Sequence, residues 1–171
     1  KPERSEFYWD IMINKYFPRS SQLVTALEID KDNNLWIGTT DWLIYYEINN
    51  QKIATLSQGN GLAGNDISVL YCDSKNKMWV GSKGKGMTLI VGTDIKKLDL
   101  GGNFTATCLV EDKKGNLWIG TESRGIIVFD GKKVVRHIKA KDGLLSDNIS
   151  VLNIDDDDNI FIGTSSGLSK Y

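Results

Sequence analysis

Histidine, cysteine and proline are scarce in this sequence: its 171 residues include one histidine, two cysteines and two prolines. The cysteines, Cys72 and Cys108, are too few for a disulfide scaffold and too far apart for a CxxC redox or zinc pair. We expect two small, buried hydrophobic side chains, with a disulfide between them as the alternative. Pro2 and Pro18 both lie near the start, so no proline-containing linker interrupts the rest of the chain.

A strong net charge and a long apolar run are also missing. The formal net charge is -1, so neither a nucleic acid nor an anionic membrane is indicated as a partner. No apolar run approaches the roughly 20 residues that span a bilayer, and we expect no membrane contact by this segment. The chain starts at Lys1 without Met or a signal peptide, which suggests a processed or excised piece. With 40% apolar and 25% charged residues, it is expected to be a soluble globular domain.

What the sequence does contain is an internal repeat. Its core is a short strand that ends in glycine followed by threonine or serine. This core occurs four times, as NLWIGT (34–39), KMWVGS (77–82), NLWIGT (116–121) and NIFIGT (159–164). The glycines recur at intervals of 43, 39 and 43 residues. A second marker, GLAGNDISVL at 61–70, returns two repeats later as GLLSDNISVL at 143–152.

Each repeat carries the signals of four short strands. An apolar strand is followed by a polar turn, by the aromatic strand, and by two further strands such as GIIVFD (125–130) and KVVRHI (133–138). Four strands in about 42 residues, without a helical period, are typical of a propeller blade. We therefore predict an all-β fold, a β-propeller with four blades of four-stranded antiparallel sheets. The repeats span about residues 23–66, 67–104, 105–148 and 149–171.

The polar turns share two features. Each begins with an aspartate, at Asp30, Asp73, Asp112 and Asp155. Three residues later stands a type that tolerates a left-handed backbone: Asn33, Asn76, Gly115 or Asp158. The carboxylates are expected to accept backbone N–H bonds. On the strand that follows, Trp36 and Gly38 point to one side and Leu35 and Ile37 to the other, so we expect burial of both faces between stacked blades.

These motifs resemble two-component regulator propeller repeats. The resemblance rests on DKKGNLWIGT (112–121), GTSSGL (163–168) and KDGLLSDNIS (141–150), and it covers about residues 23–171. It implies part of the extracytoplasmic, ligand-sensing region of a hybrid two-component regulator, where such repeats form seven-bladed rings. It also implies a periplasmic or extracellular location. The motifs are specific to the repeat and much less specific to any one function.

The number of blades departs from that pattern, because four repeats are present and the last ends at Tyr171 after three strands at most. Residues 7–17 resemble the late strands of a blade, and they could complete the last one to close a four-bladed ring. The alternative is a fragment of a larger, seven-bladed propeller, which the family's larger rings favour. An open arc would expose two apolar blade faces, so it should associate as a homo-oligomer or with the remainder of a larger propeller.

No catalytic site, metal or cofactor is predicted. The single histidine, His137, lies in an outer-strand sequence with alternating basic residues and is expected at the surface. A streptogramin-lyase-like propeller is the nearest enzyme in shape, but its activity is expected to need more than one histidine. Residues 30–34 and 155–159 give D-x-D-x-N, the first half of a calcium loop, but the second half is missing. Lys75 and Lys114 replace the middle aspartate in the sister turns.

Positions that break the repeat are the candidate binding residues. Trp42 aligns with Gly86, Gly125 and Gly167, where a bulky side chain cannot serve the same backbone purpose as glycine. It either plugs the ring or an inter-blade seam, or it contacts a ligand or partner. The other candidates are aromatic residues and polar residues of the long loops: Tyr45, Tyr46, Trp9, Asn65, Asp66, Asp147 and Asn148.

The leading functional hypothesis is a sensory module of an extracytoplasmic receptor. Its partner would be a small ligand, such as an oligosaccharide, or a protein. The alternatives are a structural protein–protein interaction scaffold and, with weak support, a propeller lyase or hydrolase.

Overall fold

A computed structural model describes residues 23–171, and the regular structure of this part consists of strands in four antiparallel sheets. Sheet 1 contains β1 (Val24–Ile29), β2 (Leu35–Thr39), β3 (Leu43–Glu47) and β4 (Lys52–Leu56). Sheet 2 contains β5 (Ile67–Cys72), β6 (Met78–Ser82), β7 (Gly86–Val91) and β8 (Asp94–Lys97). Sheet 3 contains β9 (Ala106–Glu111), β10 (Leu117–Thr121), β11 (Ile126–Phe129) and β12 (Val134–Ile138). Sheet 4 contains β13 (Ile149–Ile154), β14 (Ile160–Thr164) and β15 (Gly167–Lys170).

Each sheet is one blade of a β-propeller, numbered 1 to 4 in chain order. Strands pair in sequence order within every blade, and the first strands β1, β5, β9 and β13 each lie against the next. The predicted propeller fold is confirmed. Blades 1 to 3 have the predicted four strands, and blade 4 has three in the described residues, as expected for the last repeat. Residues 7–17, considered for its completion, lie outside the described residues.

Short one-turn segments connect some of the blades. Two 3-10 turns, Gln58–Asn60 and Ala140–Asp142, precede β5 and β13, and each ends at a glycine with a left-handed backbone. Within residues 23–171, no helix has the length and apolar character required to cross a membrane.

The aromatic strands of the middle blades are buried on both faces, as the sequence predicts. Every residue of β6 and β10 is buried, because the neighbouring blades cover them. The three larger hydrophobic clusters of the described residues lie in the seams between blades, and one of them joins Trp36 of blade 1 to Met78 and Ile90 of blade 2. The next joins Trp79 of blade 2 to Phe129 of blade 3. Stability therefore depends on contacts between blades as much as on pairing within them.

The polar turns have the predicted geometry. The residues three positions after each aspartate have left-handed backbones, with φ of 63°, 59°, 79° and 69° for Asn33, Asn76, Gly115 and Asp158. At the third turn, Asp112 Oδ1 accepts the backbone N–H groups of Lys114 at 3.0 Å and Asn116 at 2.8 Å. Asp30, Asp73 and Asp155 accept the equivalent pairs.

The same aspartates also hold the aromatic strand, a contact that sequence reasoning missed. The indole Nε1 groups of Trp36, Trp79 and Trp118 each donate to the carboxylate six residues earlier, at 2.9 Å in every case. In blade 4, Phe161 has no such donor, and among the described residues Asp155 Oδ2 accepts only from Asn159 Nδ2, at 2.7 Å, a contact that blades 1 and 3 also have. The signal was present in the sequence as a constant Asp-to-Trp spacing.

Glycine in the aromatic strand lets the next blade approach closely. A Cβ at Gly120 would lie 2.4 Å from Cys108 Sγ in the same blade and 2.7 Å from Cγ2 of Ile149 in blade 4. A Cβ at Gly38 would lie 2.6 Å from Cγ2 of Ile67 in blade 2. Any side chain would push the first strand of the following blade away, so the repeated glycine is a packing requirement.

Neighbouring turns are joined by hydrogen bonds that we call latches. In each, the backbone N–H after the turn aspartate donates to a side chain of the next blade. Lys31 N donates to Asn76 Oδ1 at 2.9 Å, and Lys113 N donates to Asp158 Oδ1 at 3.0 Å. Between blades 2 and 3 the acceptor position is Gly115, which has no side chain. There Glu111 supplies the acceptor, 2.7 Å from the backbone nitrogen of Ser74.

The outer faces of blades 1 and 4 expose apolar side chains. Leu27 on β1 is 61% exposed, whereas its equivalents Leu70, Leu109 and Leu152 are 6–7% exposed. On blade 4, Leu168 is 68% exposed, whereas the equivalent Met87 in blade 2 is 1% exposed. Since these positions are buried where one blade meets another, each outer face has the apolar composition of one side of an inter-blade contact. The two exposed apolar faces expected of an arc of blades are present in the described residues.

Candidate functional site

Trp42 lies in the β2–β3 hairpin loop and takes the hydrogen-bonding place of the repeated glycine. Its carbonyl oxygen accepts from the backbone N–H of Thr39 at 3.0 Å and from Thr39 Oγ1 at 2.9 Å. In blade 3 the Gly125 carbonyl accepts from Thr121 in the same way. Gly125 has a φ of +70°, whereas Trp42 is not among the residues with positive φ. Trp42 thus makes the same hydrogen bonds without the left-handed backbone of the sister glycines, and its side chain is 39% exposed.

The two tyrosines of β3 lie apart from that loop and differ from each other. Tyr45 is half-buried, and its ring packs on Trp36 of the same blade with the centroids 4.7 Å apart. Tyr46 is 7% exposed and belongs to the buried part of blade 1. Trp9, the remaining aromatic candidate, lies outside the described residues. The structure thus does not join Trp42, Tyr45 and Tyr46 into one surface, and a binding role for each stays a prediction.

The polar loop candidates have internal hydrogen bonds. Asn65 Oδ1 accepts the backbone N–H of Gln58 at 2.7 Å, and Asp147 Oδ1 accepts that of Ala140 at 2.6 Å. These contacts tie each 3-10 turn to the loop that follows it, so both side chains have a structural role.

Asp66 and Asn148, which directly follow these two residues in the sequence, also make hydrogen bonds to neighbouring loops. Their backbone carbonyls accept the N–H groups of Lys83 and Ser165, in the β6–β7 and β14–β15 loops. Ligand contacts by any of these four loop residues stay predictions.

The described residues border two of the hollows between the blades. The first, of about 480 Å³, is bordered by the polar turns of blades 2 to 4, including Lys75, Lys113 and Asp156. The second is a cleft of about 510 Å³ between blades 1 and 2, and it includes Tyr45 and Trp36 in its wall. We call the second hollow the blade 1–2 cleft. The sequence did not predict the blade 1–2 cleft, because residues from two different repeats form its wall.

Groups suited to catalysis are not gathered in the described residues. His137 is half-buried on β12, and its Nε2 lies at hydrogen-bond distance from the backbone carbonyl of Arg124. Cys72 and Cys108 are free thiols and are half-buried rather than fully buried. Burial raises the pKa of both thiols, so neither is activated as a nucleophile. Among residues 23–171, no group of three or more His, Cys, Asp or Glu side chains is placed to hold a metal ion.

Solved structures with similar folds include two extracellular domains from B. thetaiotaomicron. One belongs to a protein described as a hybrid two component system: identity is 24%, the TM-score is 0.76, and 89% of this chain aligns with 21% of that one. The other belongs to a protein described as a one component system, with 19% identity and a TM-score of 0.77 over 92% of this chain and 25% of that one. This chain therefore spans a quarter or less of either domain.

An enzyme shares the fold as well. A catalytically inactive virginiamycin B lyase from Staphylococcus aureus, determined with quinupristin, has 12% identity and a TM-score of 0.71. The alignment covers 91% of this chain and 57% of the lyase. At such identities, the likeness to these solved structures shows the propeller fold alone.

Sequence comparison identifies the repeats themselves. No curated protein matches the chain in sequence. A family model described as "Two component regulator propeller" matches residues 18–41, 61–84 and 99–123. Each match includes the polar turn and the aromatic strand of one of the first three blades. Three segments of this chain therefore match the repeats of the two component regulator propeller family.

Proposed function

We propose that this chain is a non-catalytic part of the ligand-sensing, extracytoplasmic region of a two-component signalling receptor. The observation that carries the proposal is the match of three blades to two component regulator propeller repeats. The similar extracellular domains support a periplasmic or extracellular location. Sensing would work through a ligand- or partner-dependent change in blade packing, passed on to an output domain.

A propeller lyase or hydrolase is the enzymatic alternative, and the chemistry gives it little support. The only histidine of the sequence is His137, and its Nε2 faces a backbone carbonyl rather than a nucleophile or substrate pocket. General acid–base catalysis needs a titratable group aimed at a reacting atom. The raised pKa values of the two thiols argue against a cysteine nucleophile.

Trp42 is the residue that we propose as a ligand contact. It is a large aromatic side chain exposed on a loop, at a position where the three sister blades have glycine. In a thermal-shift screen with oligosaccharides and Ca²⁺, we expect an oligosaccharide to raise the Tm by a few degrees through preferential binding to the folded state. Trp42→Gly should abolish that shift.

The variant also tests whether Trp42 is a packed plug. Because two-fifths of the side chain is exposed, Trp42→Gly should lower the free energy of unfolding by no more than about 2 kcal/mol, against 3–5 kcal/mol for a fully buried tryptophan. A larger loss would assign the residue to packing. If no small ligand shifts the Tm of the native chain, the structural scaffold becomes the better explanation.

The outer faces of blades 1 and 4 are proposed to meet further blades of the same kind, from the remainder of a larger propeller or from a second copy. Each face exposes residues that are buried at the internal seams, and exposed apolar patches of this kind favour association. In multi-angle light scattering, we expect the chain to self-associate as its concentration rises. Leu27→Glu should shift it towards the monomer, because a charge would enter the contact.

The control is Val135→Glu, which places the same charge at an exposed valine on the outer strand β12. Association that is unchanged by this variant but reduced by Leu27→Glu supports face-to-face contact. A monomer at every concentration, or equal effects of both variants, would reject it.

A further inference from the structure

Each seam has one position in the later blade that faces the aromatic residue of the earlier one. Phe129 of blade 3 packs edge-on against Trp79 of blade 2, with ring centroids 6.0 Å apart. Tyr171 of blade 4 packs against Trp118 of blade 3, with centroids 4.9 Å apart. Both residues follow the loop glycine of their blade by four positions, and the residue at that position in blade 2 is Ile90. The seam between blades 1 and 2 therefore lacks the aromatic plug that fills the other two.

The blade 1–2 cleft lies at this seam. Its volume is about 510 Å³, within the range of pockets that hold small organic molecules. Trp36 and Tyr45 of blade 1 form one wall, while Met78, Ile90 and Ile95 of blade 2 contribute to the other. An apolar body of limited size would be covered by side chains from both blades.

The polar edge of the cleft is negatively charged. Asp30, Asp32 and Asn76 border it, and no lysine, arginine or histidine is among the described residues that line it. Asp30 is saturated by donors of its own turn and by the Trp36 indole. Asp32 is exposed and accepts one hydrogen bond from Asn76 Nδ2, at 2.7 Å. Its carboxylate is therefore the group best placed to meet a ligand.

The pKa of the tyrosine in the wall is affected by the same negative charges. Burial raises the pKa of the Tyr45 hydroxyl, and the negative charges of Asp30, Glu47 and Asp32 raise it further. Carboxylates beside an aromatic wall favour a positively charged group, which gains from the carboxylate and from the faces of the rings.

We infer that the blade 1–2 cleft binds a small organic cation with an apolar body, such as a protonated aromatic amine. The apolar part lies between Trp36, Tyr45 and Ile90, and the ammonium group lies near Asp32. This site is separate from the Trp42 loop and goes beyond the proposed sensing function, since it depends only on the seam.

Isothermal titration calorimetry with tryptamine tests the inference, and indole-3-propionate serves as the anionic probe with the same ring. We expect tryptamine to bind and indole-3-propionate to bind at least about tenfold more weakly, because its carboxylate meets like charges. Ile90→Phe, which copies the plug of the next seam, should reduce tryptamine affinity by at least about tenfold. Asp32→Asn should weaken tryptamine binding severalfold and reduce the difference in affinity between the two probes.

Two further variants keep the test decisive. Ala54 lies on β4 at the exposed rim of the cleft, so Ala54→Phe should narrow the cleft and lower the affinity for tryptamine. This variant provides the test if Ile90→Phe fails to fold. Val135→Phe adds the same ring at an exposed position outside the cleft and should bind like the native chain. The inference is overturned if tryptamine does not bind the native chain, if both probes bind equally, or if a folded cleft-filling variant retains native affinity.

Discussion

Gly125→Ala is expected to destabilise the protein by about 3 kcal/mol or more, because backbone strain and a backbone clash add together. The residue has a φ of +70°, which lies in the left-handed region. A residue with a Cβ is destabilised in this region relative to glycine. A Cβ there would lie 2.1 Å from the carbonyl oxygen of Ile138, an atom of the paired outer strand that cannot turn aside as a side chain could. The free energy of unfolding from urea titrations measures the loss.

Gly131→Ala is the matched control. Gly131 also has a left-handed backbone, with φ of +90°, but nothing lies within 4 Å of the Cβ that would be added. The free energy of unfolding of this variant should therefore fall only by the cost of the left-handed backbone, about 1 kcal/mol. Equal losses for the two variants would show that the approach to Ile138 carries no energetic weight.

Asp112→Ala is expected to cost about 2–4 kcal/mol, since it leaves several donors without an acceptor, including the buried indole of Trp118. The carboxylate accepts from Lys114 N and Asn116 N, from Asn116 Nδ2 at 2.8 Å, and from Trp118 Nε1 at 2.9 Å. The buried indole has no second acceptor among these contacts. We expect a lower urea midpoint together with a change in the environment of Trp118, visible in its fluorescence.

The stabilisation by Asp112 should also depend on pH. Burial would raise the pKa of this carboxyl, but the hydrogen bonds from Trp118, Asn116 and the backbone outweigh it and hold the pKa below its usual value. A lowered folded pKa means that the contribution is present above the usual pKa and is lost as the pH falls through the lowered one. The free-energy difference between native protein and Asp112→Ala should therefore shrink in acid.

Asp155→Ala provides the comparison in blade 4. Asp155 opens an equivalent turn but has Phe161 where Asp112 has Trp118, and Asp155 itself is more exposed than Asp112. Its freed donors can turn to water, so this variant should lose less stability than Asp112→Ala. A loss as large as that of Asp112→Ala would mean that the buried indole contact contributes little.

The strands, turns and blades could be predicted because they are determined locally. Asp-initiated turns, left-handed Asn or Gly residues and alternating apolar residues all act within about ten positions, and the repeat supplies several independent copies of each signal. The Asp–Trp hydrogen bond was equally local but was overlooked, since both residues already had an explanation as turn former and core residue.

The candidate site was less accessible to sequence reasoning. The equivalence of Trp42 to the loop glycines was visible, and the shared contacts with Thr39 and Thr121 show it in space. Which aromatic residue meets which tryptophan was not visible, because Phe129 and Trp79 come from different repeats. The blade 1–2 cleft depends on that pairing. It is a property of the stacking of blades rather than of any single repeat.

The latches between turns have a direction that affects how the protein opens. Every donor belongs to one blade and its acceptor to the following blade, so each blade is coupled to its neighbours rather than to the assembly as a whole. Such nearest-neighbour coupling makes unfolding resemble the fraying of a short linear polymer. In hydrogen exchange, amides of β6 and β10 should open last, and protection should fall stepwise towards β1 and β15 rather than vanish in one transition.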